Sequence, residues 1–236
     1  MIKTLHIFFK IVGETLVTNK KTKQAKKILS SGNSQEANQF IGNEVMSWAK
    51  KSFEATGSTI EITGEENVPK DGSCVFICNH QSMLDILVLL GYVDKPKGFV
   101  AKIEIMKVPI VAKWMKYMQC IFLHRKNPRQ SVEAMKNAIE NVKKGQSMVI
   151  FPEGTRTKDG NVHEFKSGSF KLAFQANAPI VPVTINGTRA IFEEKKRIRP
   201  SHVKLTIHKA VPTKDLTKEE KQNLPEQIRQ IIVAAL

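Results

Sequence analysis

The sequence predicts an α/β fold in which helices flank a largely parallel sheet. From Thr59 onward, short runs rich in β-branched and apolar residues alternate with longer helical patterns, the order typical of this fold class. Several of the short runs are apolar throughout, as expected for strands covered on both faces. Earlier residues carry only helical patterns, so a helical segment at residues 1–55 is expected to precede one domain at residues 56–236.

Seven short runs from Thr59 onward are predicted as strands. In chain order they read TIEIT, CVFIC, GFVA, CIFL, SMVIF, IVPVTI and VKLTI. Three longer patterns between them predict helices: MLDILVLLGY, VPIVAKWMKYM and PRQSVEAMKNAIENVKKG. The second helix has a proline in its first turn, and the third has a proline near its start and a glycine just past its end.

The first residues predict a helix that carries an apolar stripe and is followed by a basic segment. Apolar residues recur at helical spacing, namely Ile2, Leu5, Phe9, Val12 and Leu16, widened by Ile7, Phe8 and Ile11. Lys3 and Lys10 interrupt the stripe, the basic run NKKTKQAKK follows it, and a break is expected at Ser30–Ser34. The helix either packs on its own domain or lies in the plane of an anionic membrane, with its lysines at the headgroups. The stripe is too short and too charged to cross a bilayer, and no signal-peptide cleavage site follows it.

Composition narrows the classes of partner. The 236 residues suit one sizeable domain, and 37 Lys and Arg against 22 Asp and Glu give a net charge of +15. Such a charge attracts nucleic acid, an anionic bilayer or a phosphorylated substrate. The aromatic residues are few and do not interleave with the basic ones, so nucleic acid is not expected. The three cysteines form no CxxC pair, which favours a reduced, cytoplasm-facing protein without a zinc site.

Polar residues follow three of the predicted strands, where ligands bind in folds of this kind. His80 follows CVFIC, His124-Arg125 follows CIFL, and PEGTR follows SMVIF. His80 and Asp85 are five residues apart, which is about 140° on a regular helix. They meet only if His80 precedes the helix and the chain turns at Gln81-Ser82, with Ser82 as the helix N-cap. Asp85 would then hold one imidazole nitrogen and leave the other as an acceptor, although a structural histidine is the alternative.

The segment FPEGTRTKDG is the second candidate cluster. Gly154 lets the backbone approach a ligand closely, while Thr155 and backbone N–H groups can donate to a phosphate. Arg156 can grip a phosphate with two parallel hydrogen bonds. A surface turn with a Glu–Arg ion pair is the alternative, and no P-loop pattern is present.

Together the two clusters resemble a known family. NHQSMLD followed by FPEGTR resembles the NHxSxxD and FPEGTR(S/T) signatures of the glycerolipid acyltransferases. CIFLHR, IVPVTI and EFKSGSFKLA resemble further blocks of that family, and the bacterial 1-acylglycerol-3-phosphate acyltransferases are the nearest subfamily. The chain departs from the family pattern at Gln119-Cys120 and at His124, and these departures concern the acceptor more than the reaction.

The resemblance implies a reaction and roles for named residues. His80 would be the general base that deprotonates the sn-2 hydroxyl of lysophosphatidic acid, and Asp85 would orient it. The glycerol phosphate would be held by Arg125, Glu153, Gly154, Thr155, Arg156 and Lys166, and the block around Pro182 would line the acyl site. Acyl-CoA or acyl carrier protein would supply the acyl thioester, with no metal or other cofactor. A basic rim that includes Lys95, Lys97, Lys102 and Lys107 would attract either donor, and the enzyme would sit at the cytoplasmic face of the cell membrane as a peripheral or monotopic protein.

Three alternatives stay open at this point. The acceptor could be glycerol 3-phosphate or another lysophospholipid. Cys78, two residues before His80, could accept the acyl group covalently. A basic chain of this kind could also bind polyanions or membranes without catalysing any reaction.

Overall fold

The computed structural model describes residues 2–124 and 127–236 and confirms the predicted α/β class. The helices of these residues are α1 Ile2–Lys20, α2 Thr22–Ser30, α3 Ser34–Glu54, α4 Asp85–Tyr92, α5 Pro109–Tyr117, α6 Pro128–Lys143, α7 Lys171–Ala176, α8 Thr188–Phe192 and α9 Lys218–Val233. The strands are β1 Thr59–Thr63, β2 Val75–Cys78, β3 Lys97–Lys102, β4 Ile121–Leu123, β5 Ser147–Ile150, β6 Ile180–Asn186 and β7 His202–Ile207. All seven predicted strand runs and all three predicted helices of the domain therefore correspond to elements of the structure.

The seven strands form one sheet in the order β1-β7-β6-β2-β5-β3-β4. Every neighbouring pair is parallel except β6 and β7, which run antiparallel. The expectation of a largely parallel sheet is confirmed. Because β2, β5 and β3 lie side by side with the same direction, the loops that follow them emerge at one edge of the sheet.

Hydrophobic residues pack against both faces of the sheet. On β2, Phe76 belongs to the cluster that includes α3 and α4, whereas Ile77 belongs to the cluster that includes α6, α7 and α9. Successive strand residues thus bury opposite faces. This double coverage explains why the central strands read as continuous apolar runs.

The helices before the sheet follow the predicted pattern and add one break. The predicted break at Ser30–Ser34 separates α2 from α3, and Asn33 caps α3 by accepting the N–H of Glu36 at 3.1 Å. A further interruption at Lys21 separates α1 from α2. The division of the chain into residues 1–55 and 56–236 stays a prediction.

Part of the apolar surface of α1 is exposed, whereas Ile7, Ile11 and Val12 of the predicted stripe are half-buried. Its exposed side chains, each at least half accessible, are Leu5, Phe8, Phe9, Leu16 and Val17. The opposite side of α1 contacts α3, where the indole N–H of Trp48 donates to Thr15 Oγ1 at 3.0 Å. Packing of α1 on its own domain therefore does not account for these exposed side chains. Over the two described ranges, we find no helix with the length and apolarity needed to cross a membrane.

Lys97, predicted as part of an exposed basic rim, is buried at the start of β3. Its ammonium group donates to the carbonyl oxygens of Val93 at 2.7 Å and Lys95 at 2.8 Å. Burial lowers the pKa of Lys97 to about 7. The prediction was wrong for this residue because sequence alone does not show that its side chain turns back under the connection between α4 and β3.

Candidate active site

The loops after β2 and β5 lie side by side and bring the two predicted clusters together. The His80 imidazole stacks on the Phe151 ring, with ring centroids 3.9 Å apart and planes inclined by 18°. The N–H of Thr157 donates to the carbonyl oxygen of His80 at 2.8 Å. The N–H of His80 donates to Glu153 Oε1 at the same distance. These bonds join the NHQSMLD and FPEGTR segments into one site.

Asp85 is fully buried, and its carboxylate fixes the orientation of the His80 ring. Its Oδ2 accepts hydrogen bonds from His80 Nδ1 at 2.8 Å and from the N–H groups of Gln81 at 2.7 Å and Ser82 at 2.9 Å. The chain turns at Gln81-Ser82, as predicted, so His80 reaches a carboxylate that would be inaccessible to it on a continuous helix. Because Nδ1 donates to Asp85, Nε2 carries the lone pair and can accept a proton.

Helix α4 begins at Asp85 rather than directly after Ser82. The Ser82 hydroxyl accepts the N–H of Leu84 at 3.1 Å within the turn, and it makes no capping bond to the helix. The predicted N-cap role of Ser82 is therefore wrong. The carboxylate of Asp85 instead accepts the N–H groups of Gln81 and Ser82, which belong to the turn before the helix.

A segment at the end of β6 fixes the shape of the histidine loop. Asn79 exchanges two hydrogen bonds with the backbone of Ile185, at 2.9 and 2.8 Å. Gln81 Oε1 accepts the N–H of Gly187 at 3.2 Å. The hydroxyl of Thr188 donates to Asp85 Oδ1 at 2.5 Å. Sequence analysis missed this set because Thr188 lies 103 residues after Asp85 and has no motif of its own.

Gly187 is required where this segment passes close to β7. Its φ of +98° lies in the left-handed region, and a Cβ at this position would lie 2.3 Å from the carbonyl oxygen of His202. Glycine thus allows the chain to turn from β6 directly into α8. That turn delivers Thr188 to Asp85.

Glu153 is buried and supports both loops through their backbones. Its Oε1 accepts the N–H of His80, and its Oε2 accepts the N–H of His163 at 3.2 Å. Burial raises the pKa of Glu153, and the hydrogen bonds from His80 and His163 partly offset that rise. Both carboxylate oxygens therefore contact the protein. The predicted contact of Glu153 with substrate stays a prediction.

The remaining predicted phosphate-binding residues divide into two groups. Gly154, Thr155, Arg156 and Lys166 all line one cavity together with His80. The side chain of Arg156 also forms an ion pair in which Nη1 donates to Glu193 Oε1 at 2.6 Å. Arg125 lies outside the described residues, so its role in phosphate binding stays a prediction.

The cavity that contains His80 has a volume of about 660 Å³ and is largely apolar. Its walls come from α1, α3, α4, β3, β4, α5, α6 and the loop after β5. The apolar residues of the wall include Trp48, Leu90, Phe99, Trp114, Met115 and Met118. Sequence analysis did not find this cavity because its lining is contributed by elements distant along the chain. The amphipathic helix VPIVAKWMKYM was the available signal, since α5 supplies four of its apolar positions to the lining.

Pro182, predicted to belong to the acyl site, is not brought to this cavity. It is buried in β6 opposite Ile77 of β2, in the interior of the sheet. Its carbonyl oxygen accepts the N–H of His208 at 3.0 Å. The predicted role of Pro182 stays a prediction without a contact to support it.

Cys78 lacks the properties of a nucleophile. It is fully buried in β2, and it does not line the cavity. Burial and the nearby Asp85 carboxylate raise the pKa of its thiol well above the usual value. A thiol that stays protonated and enclosed is a poor acceptor of an acyl group.

Known acyltransferases are similar to this chain in sequence. The model of the acyltransferase family matches residues 59–186. A chloroplastic 1-acyl-sn-glycerol-3-phosphate acyltransferase from Brassica napus is 40% identical over 64% of this chain and 44% of that protein. A 1-acyl-sn-glycerol-3-phosphate acyltransferase from Borreliella burgdorferi is 32% identical over 79% of this chain and 75% of the relative. The chain spans about half the length of several of these relatives, such as 56% of a probable 1-acyl-sn-glycerol-3-phosphate acyltransferase from Mycoplasma pneumoniae.

A solved structure extends the similarity over nearly the whole chain. The crystal structure of the 1-acyl-sn-glycerophosphate (LPA) acyltransferase PlsC from Thermotoga maritima aligns with a TM-score of 0.74 and 28% identity. The alignment covers 94% of this chain and 97% of that one. The sequence blocks, the shared fold and the family match agree with one another. The chain belongs to the acyltransferase family.

Proposed function

We propose that the protein transfers a fatty acyl group from an acyl thioester to the sn-2 hydroxyl of 1-acylglycerol 3-phosphate, which yields phosphatidic acid. The observation that carries the proposal is the position of His80, held by Asp85 at a large apolar cavity that Arg156 and Lys166 also line. A base, cations for a phosphate and apolar space for a fatty chain are the three requirements of this reaction. The relatives that act on 1-acylglycerol 3-phosphate by name support the same acceptor.

His80 acts as the general base. Its Nε2 takes the proton from the sn-2 hydroxyl as the oxygen attacks the thioester carbonyl, and Asp85 stabilises the imidazolium that forms. The tetrahedral intermediate then collapses with cleavage of the C–S bond. The imidazolium returns the proton to the leaving thiolate, so the products are an ester and a free thiol. Proton transfer of this kind contributes about 10²–10⁴ in rate.

Arg156, Lys166 and Thr155 hold the phosphate of the acceptor, with Arg125 as a further proposed ligand. The guanidinium and ammonium groups supply charge-assisted hydrogen bonds, which are stronger than neutral ones. Fixing the phosphate holds the hydroxyl near His80 in a reaction that joins two substrates. Glu153 contributes by keeping the backbone of His80 in place.

The apolar cavity takes a fatty chain of the substrates. Its volume of about 660 Å³ lies within the usual range of small-molecule sites. Its walls expose mainly aliphatic and aromatic side chains, and Lys102 is among its few charged residues. We propose that this cavity, rather than the surroundings of Pro182, is where the acyl chain binds.

The exposed apolar side chains of α1 support a position on a lipid surface. Leu5, Phe8 and Phe9 face outward, and α2 adds the exposed lysines Lys23, Lys26 and Lys27. An apolar face beside basic residues suits an anionic membrane. We propose peripheral or monotopic association with the cytoplasmic face of the cell membrane, where the product belongs. Acyl-CoA or acyl carrier protein is the proposed donor, with no nucleic-acid partner and no metal requirement.

An acyl-transfer assay tests the proposal. Purified protein in detergent is given lysophosphatidate or glycerol 3-phosphate, each with acyl-CoA or acyl carrier protein, and the lipid products are identified. We expect phosphatidic acid from lysophosphatidate, no loss of rate with EDTA, no turnover in His80→Ala and most of the activity in Cys78→Ala. Turnover of glycerol 3-phosphate alone would refute the acceptor, and a hydroxylamine-sensitive acyl group on Cys78 would refute the direct transfer.

A further inference from the structure

Glu193 connects the two loops of the active site through a single carboxylate. It directly follows α8, and only 12% of its side chain is exposed. Its Oε1 accepts from Arg156 Nη1 at 2.6 Å and from the N–H of Met83 at 3.2 Å. Its Oε2 faces the ammonium group of Lys196 at 3.3 Å. Met83 belongs to the histidine loop and Arg156 to the FPEGTR loop, so Glu193 holds both.

The ion pair leaves most of the Arg156 guanidinium for another partner. An arginine carries five N–H donors in a planar fork, and Nη1 is the nitrogen that contacts Glu193. Arg156 also lines the cavity that contains His80, and 46% of its side chain is exposed. One edge of the guanidinium is therefore fixed by Glu193 while the side chain borders the substrate space.

We infer that Glu193 is a positioning residue that holds Arg156 ready for the phosphate of the acceptor. The inference rests on the proposed function. A free arginine side chain loses rotamer freedom when it binds a phosphate, and an ion pair that fixes it beforehand lowers this cost. The N–H of Met83 holds the carboxylate in place beside Arg156. Its negative charge is offset by Lys196 as well as by Arg156.

Steady-state kinetics of Glu193→Ala and Glu193→Gln test this role. In the alanine variant we expect the KM for lysophosphatidate to rise about five- to tenfold, with kcat and the KM for the acyl donor changing less than about twofold. The glutamine variant keeps an oxygen for Met83 and Arg156, so its KM should rise less. Glu194→Ala is the matched control, because the neighbouring Glu194 pairs with Arg189, and it should keep the wild-type KM.

A double-mutant cycle with Arg156→Ala separates positioning from a general loss of structure. If Glu193 acts through Arg156, Glu193→Ala changes the KM for lysophosphatidate little further when Arg156 is already alanine. Effects that multiply independently, or a KM that falls because Glu193 masks Arg156, would overturn the inference while the proposed function stands. A wild-type protein that does not acylate lysophosphatidate would overturn both. Variants that lower kcat and thermal stability with an unchanged acceptor KM would show a structural role alone.

Discussion

At the scale of single residues, the position of His80 depends on side chains that lie far from it along the chain. The spacing of His80 and Asp85 required a turn before the helix, and the structure has that turn. The donor to the second oxygen of Asp85 comes from Thr188, and Glu193 reaches Met83 from 110 residues away. Such contacts depend on how β6 lies beside β2. A local motif carries no information about that placement.

Replacing Thr188 tests whether the second oxygen of Asp85 matters for catalysis. Thr188→Val keeps the shape of the side chain but removes the hydroxyl that donates to Asp85 Oδ1. We expect kcat to fall about tenfold, because a buried acceptor without its donor costs about 1–3 kcal/mol and the Asp85 carboxylate would shift. KM for both substrates should change little. Turnover per folded molecule is the measurement.

Thr188→Ser is the rescue control for that experiment. Serine retains the hydroxyl, so we expect most of the kcat to return, together with the thermal stability. An unchanged kcat in the valine variant would mean that the three bonds to Oδ2 are sufficient to hold Asp85. Equal losses in the serine and valine variants would point to packing of the threonine methyl group instead.

At the scale of elements, the existence of strands and helices was predictable and their arrangement was not. Apolar runs and helical periodicity report how each segment is buried, so all seven strands were found. The antiparallel pairing of β6 and β7 depends on α8 and the loop after it, which return the chain to the adjacent position. The pattern of apolar and polar residues within a strand does not determine which other strand pairs with it. The buried Lys97 was missed for a related reason, since a lysine near a strand end is most often solvated.

Lys97 should make the stability of the fold depend on pH. Its pKa is about 7 in the folded protein against 10.5 for an ordinary lysine, so above pH 7 the unfolded chain binds more protons. The free energy of unfolding should therefore rise between pH 7 and 8.5, with a slope of at most about 1.4 kcal/mol per pH unit. The contribution is lost as the pH falls towards 7. Urea unfolding at several pH values measures the slope.

Lys97→Met is the control, because methionine has no titratable group at this buried position. The slope between pH 7 and 8.5 should be smaller in this variant, whatever its absolute stability after losing two hydrogen bonds. The buried thiols of Cys74, Cys78 and Cys120 act in the opposite direction, since burial raises the pKa of each above the usual 9.0. Their effect grows towards pH 8.5, but it is common to both proteins, so the difference in slope reports Lys97. Equal slopes in the two proteins would show that Lys97 stays protonated in the folded state.

At the scale of the whole molecule, the exposed side of α1 and the apolar cavity lie on the same side of the sheet. Helix α1 contacts α3, and most of the apolar residues of the cavity wall belong to the hydrophobic cluster that includes α3 and α4. The net charge of +15 suits an anionic surface but does not show where contact occurs. The sequence predicted the stripe on α1. Its outward direction depended on which side of α1 packs on α3, and that required the structure.

Substitutions on the exposed side of α1 test its proposed contact with lipid. The double variant Phe8→Gln, Phe9→Gln should lower binding to anionic vesicles more than tenfold, because burying one aromatic side chain contributes about 1.5–3 kcal/mol. Cosedimentation with vesicles measures the partition. Val233→Gln on α9 is the control, since α9 packs on the opposite face of the sheet. Equal binding by both variants would mean that α1 does not contact the bilayer.

Helix α1 has a second side, and Thr15 and Thr18 on that side form part of the cavity wall. The bond between Thr15 and Trp48 ties this wall to α3. A chain shortened by residues 1–18 would therefore lose part of the cavity wall as well as the proposed contact with lipid. Water would enter beside the fatty chain. Water would then compete with the glycerol hydroxyl for the activated carbonyl. The shortened enzyme should therefore hydrolyse part of the acyl thioester to free fatty acid, in addition to binding membranes less well.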